Sequence, residues 1–278
     1  MTLLLAGCGV QMPWTPAASM DGASISMADY QARLKLLRYL HDKQVLGDTG
    51  RPAPSPNTTA GHADELKLED EAVAALVDET LISQEATRRH LGVSEAEVQA
   101  QVDSARKLFA TQADFDKALN DYGYTADQLR AQLRARITEV KVENSLAADR
   151  AAKVVAALKG GATFASVVKT YSDLKSTSPD GELDLNPNAQ TSIDAKVKPA
   201  IDALTPGQTT AAVQGVNGFY VARLVSRTAD ELRVDVVYVF APDALHYRTQ
   251  DRPAWFVSFL SGLEKSAHVH YNVGSRAG

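Results

Sequence analysis

Apolar residues recur along this chain first at a helical spacing and later at mixed spacings, and the change divides it in two. Tyr30, Leu34, Leu37 and His41 share one helical face, with Arg33, Lys35 and Arg38 around it, which predicts a helix over 29–46. The turn-forming pair Asp21-Gly22 before Ile25-Ser26-Met27 predicts a short strand ahead of that helix. Residues 47–63 hold three prolines and three glycines and read as a loop. From 64 to 150 the helical spacing persists. Val73, Leu76, Val77, Thr80 and Leu81 form one buried stripe, ended at His90-Leu91-Gly92 with the glycine as the left-handed stop. Ser94 with Glu97 forms a capping box for the next helix, which buries Val98, Val102, Ala105 and either Leu108 or Phe109. Phe115, Leu119 and Tyr122 mark a short helix stopped by Gly123. Thr125 with Gln128 opens another, whose stripe is Leu129, Leu133, Ile137 and Val140 and which ends near Asn144.

Beyond about residue 150 the elements shorten. A helix over 150–159 ends at Gly160-Gly161, and a second spans about 163–171. Ser178-Pro179-Asp180-Gly181 marks a turn, 186–192 reads as loop, and 194–204 forms a further short helix. After the Thr205-Pro206-Gly207 turn, 211–214 and 218–226 read as paired strands. Val234 to Phe240 is almost wholly apolar and predicts a buried strand. Residues 253–266 predict a helix with Trp255, Phe256, Phe259, Leu260 and Leu263 on its apolar side. Val269 and Tyr271 then alternate with His268 and His270 in a terminal strand.

Composition narrows the function classes. With 29 Lys and Arg against 34 Asp and Glu the net charge is −5, a poor match to a duplex nucleic acid, so no nucleic-acid partner is expected. No apolar run approaches the roughly 20 residues that span a bilayer. The chain has one cysteine, which excludes an intramolecular disulfide, a Cys-based zinc site and an iron–sulfur cluster. No cofactor is expected. His268 and His270 have a spacing that can bind metal, but no third ligand is identifiable, and His246 joins them only through unknown folding. Ser172 with Asp173 reads as a helix-end turn, because no histidine lies between 150 and 240 to act as its base. Gly160-Gly161 is a helix stop rather than a phosphate loop. Asp235, inside the apolar strand, faces solvent or a strand partner, and Phe219 packs in the core.

The single cysteine, Cys8, ends the sequence Leu5-Ala6-Gly7-Cys8 after a short apolar stretch. This tetrad resembles the lipobox of bacterial lipoproteins, which implies a diacylglyceryl group on Cys8 and a membrane partner through that lipid anchor. Residues 9–24, rich in Gly, Gln, Pro, Ser and Ala, would serve as the tether, and the start of the signal is expected further upstream.

Asp21-Gly22-Ala23-Ser24-Ile25-Ser26 before a helix at Tyr30 resembles the opening of the SurA and PrsA group of extracytoplasmic chaperones. Leu76 to Ala86, His90 to Val98, Phe115 to Leu119, Tyr122 to Thr125 and Leu129-Arg130 are similar to that group's helices. The later part of the chain resembles a parvulin-type peptidyl-prolyl isomerase domain, through Gly161 to Ala165, Tyr171-Ser172-Asp173, Gly181-Glu182-Leu183, Pro206-Gly207-Gln208 and Gly218 to Val221. The resemblance implies an α+β fold. It further implies a signal remnant and tether over 1–24, a helical chaperone module over 25–150 completed by a return helix and strand at 253–275, and an inserted parvulin-like domain over 151–240.

In the parvulin family a hydrogen-bonded histidine pair, one from the first strand and one from the closing strand, sits in the isomerase pocket. Tyr220 aligns with the closing-strand histidine and Val197 with the pocket phenylalanine. The first strand is missing from its usual place; Leu232 to Phe240 could fill it as a permuted edge, with Val236 or Val237 at the histidine position. The resemblance therefore implies an envelope-located lipoprotein chaperone that binds unfolded or extended exported polypeptides, with no confident catalytic residue, no assigned client-binding residues and no metal. An active prolyl isomerase using Tyr220 is the enzyme alternative, and a scaffold for one fixed envelope partner is a further one.

Overall fold

The computed structural model describes residues 15–174, 181–184, 193–228, 231–241 and 252–277, which form a mostly helical α+β fold. Asp21-Gly22, with Gly22 at a φ of 77°, makes a two-residue turn between β1 (Ala18–Met20) and β2 (Ala23–Ile25). β1 lies within the stretch expected to be tether. Ala17, Ala18 and Met20 are buried, so this part of the segment packs as structure. The strand expected at Ile25-Ser26-Met27 stops at Ile25, because the Ser26 side chain accepts the Asp29 N–H at 3.0 Å and opens α1 (Met27–Thr49).

The next helix, α2 (Thr59–Arg88), starts inside the expected loop, where the Thr58 hydroxyl accepts the Gly61 N–H at 3.1 Å. It ends on an unexpected residue. His90, not Gly92, takes the left-handed conformation at a φ of 58°. The Leu91 N–H then reaches back to the Ala86 carbonyl at 2.8 Å, the hydrogen bond that closes such a helix end.

Ser94 and Glu97 form the expected capping box at α3 (Glu95–Arg106), and Thr111 and Asp114 form another at α4 (Gln112–Tyr122). Of the two alternatives at the end of α3, Phe109 turns inward and meets the Phe115 ring edge-on at 5.5 Å, while Leu108 is 84% exposed. The helix after Thr125 does not end near Asn144. It continues as α5 (Ala126–Lys159), since Ala147, Ala151 and Val154 carry its buried stripe onward.

The remaining elements are α6 (Phe164–Tyr171), β3 (Glu182–Asp184), α7 (Lys198–Asp202), β4 (Val213–Gln214), β5 (Gly218–Arg227), β6 (Leu232–Phe240), α8 (Ala254–Ser266) and β7 (His270–Tyr271). Two antiparallel sheets result, in the orders β2-β1-β7 and β3-β6-β5-β4. β6 is therefore an interior strand, hydrogen-bonded on both sides, rather than a permuted edge. Its burial on both faces is what an almost continuous apolar run provides.

The chain separates into two compact units. The first comprises the described parts of Met1–Gln84, Ser94–Ala135 and Ser258–Gly278. Its core gathers Tyr30 and Leu34 from α1, Val73 and Val77 from α2, β1, and Val273 beyond β7. The second comprises the described parts of Glu85–Val93 and Arg136–Val257. Here one sheet face packs Val221, Val237 and Val239 against Ala151 and Val154 of α5 and Phe164 of α6. The other face packs Ala222, Leu224 and Val236 against Val197 and Ile201. Residue 150 lies inside α5, and the compact units divide between Ala135 and Arg136. Among the described residues no helix is long and apolar enough to cross a membrane.

Candidate functional site

The candidate site grows from the register of β5 on β6. Tyr220 pairs with Tyr238, Val221 with Val237 and Ala222 with Val236. Directly paired residues share a sheet face, so Tyr238, and neither Val236 nor Val237, lies across from Tyr220. The two rings meet at 4.9 Å between centroids with 47° between planes. The sequence reading missed Tyr238 because it sits in a run that reads as uniformly apolar. Its signal is the pairing register, which periodicity does not carry.

Two glycines make room for these rings. A Cβ on Gly218 would lie 2.5 Å from Tyr238 Cε2, and one on Gly215 would lie 2.7 Å from Tyr220 Cε2 and 2.5 Å from Asp194 Oδ2. Asp194 in turn fixes the turn between β4 and β5. Its carboxylate accepts the Val216 N–H, and accepts the Lys196 N–H at 2.8 Å. These backbone donors hold its carboxyl below the usual carboxylate range. Burial raises the Tyr220 hydroxyl, and nearby Asp194 adds to the rise. Burial likewise raises Tyr238, whose hydroxyl donates to the Asn217 carbonyl at 2.6 Å.

Both tyrosines therefore stay protonated near neutral pH. They offer rings and hydroxyl donors, and they lack the proton exchange near neutrality that an imidazole provides. Val197 does not line an open pocket: it is fully buried between α7 and the sheet. Phe219 lies on the opposite face, packed against the cluster around Val221 and Val239.

Ser172 and Asp173 are more than a helix-end turn. Ser172 Oγ accepts the Tyr238 N–H at 3.2 Å, and Asp173 Oδ2 accepts the Phe240 N–H at 2.9 Å. The Asp173 N–H donates to the Tyr238 carbonyl at 2.7 Å. These groups continue the pairing of β6 beyond its contact with β3, and so they position Tyr238. Trp255 Nε1 also donates to Asp173 Oδ2, at 3.1 Å. Burial raises the Asp173 carboxyl, against the pull of these donors and of Arg150. Arg150 caps α6 by donating to the Thr170 and Tyr171 carbonyls, and its guanidinium lies 5.0 Å from the Tyr171 ring centre.

The other residues considered separate from this site. Asp235 is buried and paired with Arg223 across the strands. His268 is not in the terminal strand. It has a φ of 48° and reaches Asp21 at 2.8 Å through Nδ1, while His270 pairs with Ser19 in β7. Among the described residues no group of three or more His, Cys, Asp and Glu comes together as a metal site. Cys8, His246, the turn at Ser178-Pro179-Asp180 and the loop at 186–192 lie outside the described residues.

The first unit carries three grooves among its described residues. One, of about 600 Å³, lies between α1 and α2 beneath the Pro52–Pro56 loop. Gly61 allows this loop its close crossing, where a Cβ would strike the Ser55 carbonyl. A second, of about 410 Å³, runs from Asp29 and Leu76 to Tyr124, and a third, of about 440 Å³, borders β2.

Two family models match the chain: a SurA-like N-terminal domain over residues 3–143 and a PPIC-type PPIASE domain over residues 122–234. Among solved structures, the chain is similar to a peptidylprolyl isomerase (PrsA) from Bacillus anthracis, 16% identical over 70% of this chain and 88% of that one, with a TM-score of 0.22. A peptidylprolyl isomerase (PrsA) from Bacillus cereus is 15% identical over 92% and 93%, with a TM-score of 0.26. The foldase protein PrsA from Streptococcus pneumoniae is 14% identical over 91% and 87%, with a TM-score of 0.22. No curated protein matches.

Proposed function

This chain belongs to the SurA-like N-terminal domain family, and on that premise we propose that it is an extracytoplasmic chaperone of the foldase type for exported polypeptides. Its helical module, 25–150 completed by 253–275, holds non-native segments. Its parvulin-like domain, 151–240, contributes a surface but no isomerase chemistry. Cys8 carries the lipid that tethers the protein to the cell envelope. The clients are unfolded or extended chains, and neither nucleic acid nor a cofactor takes part.

The observation that carries the non-catalytic reading is Tyr220, at the position the parvulin resemblance gives to the closing-strand histidine and paired across β5 and β6 with Tyr238. Rotation about a prolyl bond has a barrier near 20 kcal/mol. Two raised tyrosines, one already donating to the Asn217 carbonyl, are poorly suited to reproduce a titrating histidine network. Binding by apolar area and strand edges needs no such network. The match to a PPIC-type PPIASE domain favours the second reading, an active prolyl isomerase that uses the Tyr220 hydroxyl. Light scattering of a chemically unfolded client tests the chaperone reading. An equimolar amount of the soluble protein should delay aggregation, and an unchanged aggregation curve would contradict it.

A further inference from the structure

The edge of β2 and the groove beside it carry an inference about how a client is held. β2 pairs with β1 on one side, and among the described residues no strand covers its other side. The two-residue turn makes Met20 and Ala23 the hydrogen-bonded closing pair, so Ser24, opposite Ser19, turns its N–H and C=O away from β1. Ser24 is exposed. A strand edge of this kind is a template for a further strand.

The concavity of about 440 Å³ along this edge has β2 as one wall and α2, from Leu76 to Gln84, as another. It shares Asp29, Leu76 and Glu79 with the concavity of about 410 Å³ that continues past Leu36 to Tyr124. The two form one track within the first unit, with apolar floor at Leu76 and Leu36. Charge distinguishes its ends. The carboxylates of Asp29 and Glu79 stand where the two concavities meet, and the lining of the β2 end holds no lysine or arginine. Glu79 is neutralised by Arg33 at 2.9 Å. Asp29 accepts the Ser26 hydroxyl at 2.6 Å and, among the described residues, has no ion-pair partner. Lys35 lies in the far part of the track.

We propose that β2 receives an extended segment of a non-native polypeptide as an added strand, with apolar side chains lying over Leu76 and Leu36 and a lysine or arginine meeting Asp29. This rests on the chaperone reading and specifies the client segment and its place. Backbone hydrogen bonds would supply affinity without sequence selection, and Asp29 would add a preference for basic segments.

The test uses the soluble full chain and a short peptide that alternates valine and threonine around one central lysine. Hydrogen exchange at the Ser24 amide is measured with and without peptide, beside titration of affinity. The proposal expects slower exchange at Ser24 on binding. It expects about tenfold weaker binding when alternate peptide amides are N-methylated, and the same for Ser24→Pro but not Ser24→Ala. Asp29→Asn should abolish the preference over a peptide with glutamate in place of the lysine. If Ser24→Pro unfolds the protein, the N-methylated peptide on the unaltered chain still decides. Peptide binding with unchanged Ser24 exchange and no effect of N-methylation overturns the β2 track, while a persisting delay of aggregation leaves the chaperone reading standing. Loss of both peptide binding and aggregation delay overturns the two together.

Discussion

Asp173 shows how much a single side chain supports here. One carboxylate oxygen accepts both the Phe240 N–H and the Trp255 indole N–H, in a setting whose burial raises its pKa. A carboxyl raised in the folded state binds its proton more tightly there than in the unfolded chain. It therefore lowers stability as pH rises from the ordinary carboxylate value through the raised one. Asp173→Asn keeps an acceptor oxygen and removes the charge, so urea melts from mildly acidic to neutral pH should show a flatter dependence and no loss at neutrality. Asp173→Ala leaves two donors unmatched and should cost about 1–3 kcal/mol at every pH. Gly218→Ala addresses the tyrosine pair more directly. Its methyl would meet Tyr238 Cε2 at 2.5 Å and the Val239 carbonyl, so thermal melts should show a loss of about 1–3 kcal/mol. The near-ultraviolet signal of the displaced ring should change with it.

At the scale of elements, what was legible in the sequence was chemistry between near neighbours. Ser94 with Glu97, Thr125 with Gln128, and the Gly123 stop are local, and the structure has each where the sequence places it. The return of the chain was legible as an apolar stripe over 253–266, whereas the strand after it is shorter than the alternation from His268 suggests, β7 alone. The register of distant strands was not. Leu232 to Phe240 reads as a buried strand, but nothing in its run tells that it lies between β3 and β5, or that Tyr238 comes to face Tyr220. The continuity of α5 was hidden too, because its stripe passes from large residues such as Ile137 and Val140 to the alanines Ala147 and Ala151. The return elements give a prediction at this scale. β7 pairs with β1, and Leu263, Val269 and Val273 join the core around Tyr30, Leu34 and Val73. Deleting 253–278 should lower the melting temperature of the 25–150 module more than that of the 151–240 segment, as read by hydrogen exchange resolved along the chain. Leu260→Ala, at a side chain that is 4% exposed, should cost about 2–5 kcal/mol in denaturant melts. Protection of 25–150 unchanged by the deletion would contradict the role given to the return.

For the whole molecule, the proposed reading assigns the capture of chains to the grooves along α1 and α2 and no chemistry to the sheet that bears the paired tyrosines. Anchoring is tested apart from capture. Expressed in its native host, the protein should fractionate with membranes through a lipid on Cys8, and Cys8→Ser should release it. An unmodified N-terminus by mass spectrometry would contradict the anchor. The central claim is that this chain holds non-native polypeptides without isomerising their prolines. The most direct measurement is the cis–trans exchange rate of several Xaa-Pro peptides, followed by NMR exchange with and without the purified soluble chain, in a preparation that delays aggregation of an unfolded client. The account predicts exchange indistinguishable from the uncatalysed rate, for the wild type and for Tyr220→Phe alike. A robust acceleration that Tyr220→Phe abolishes would contradict it.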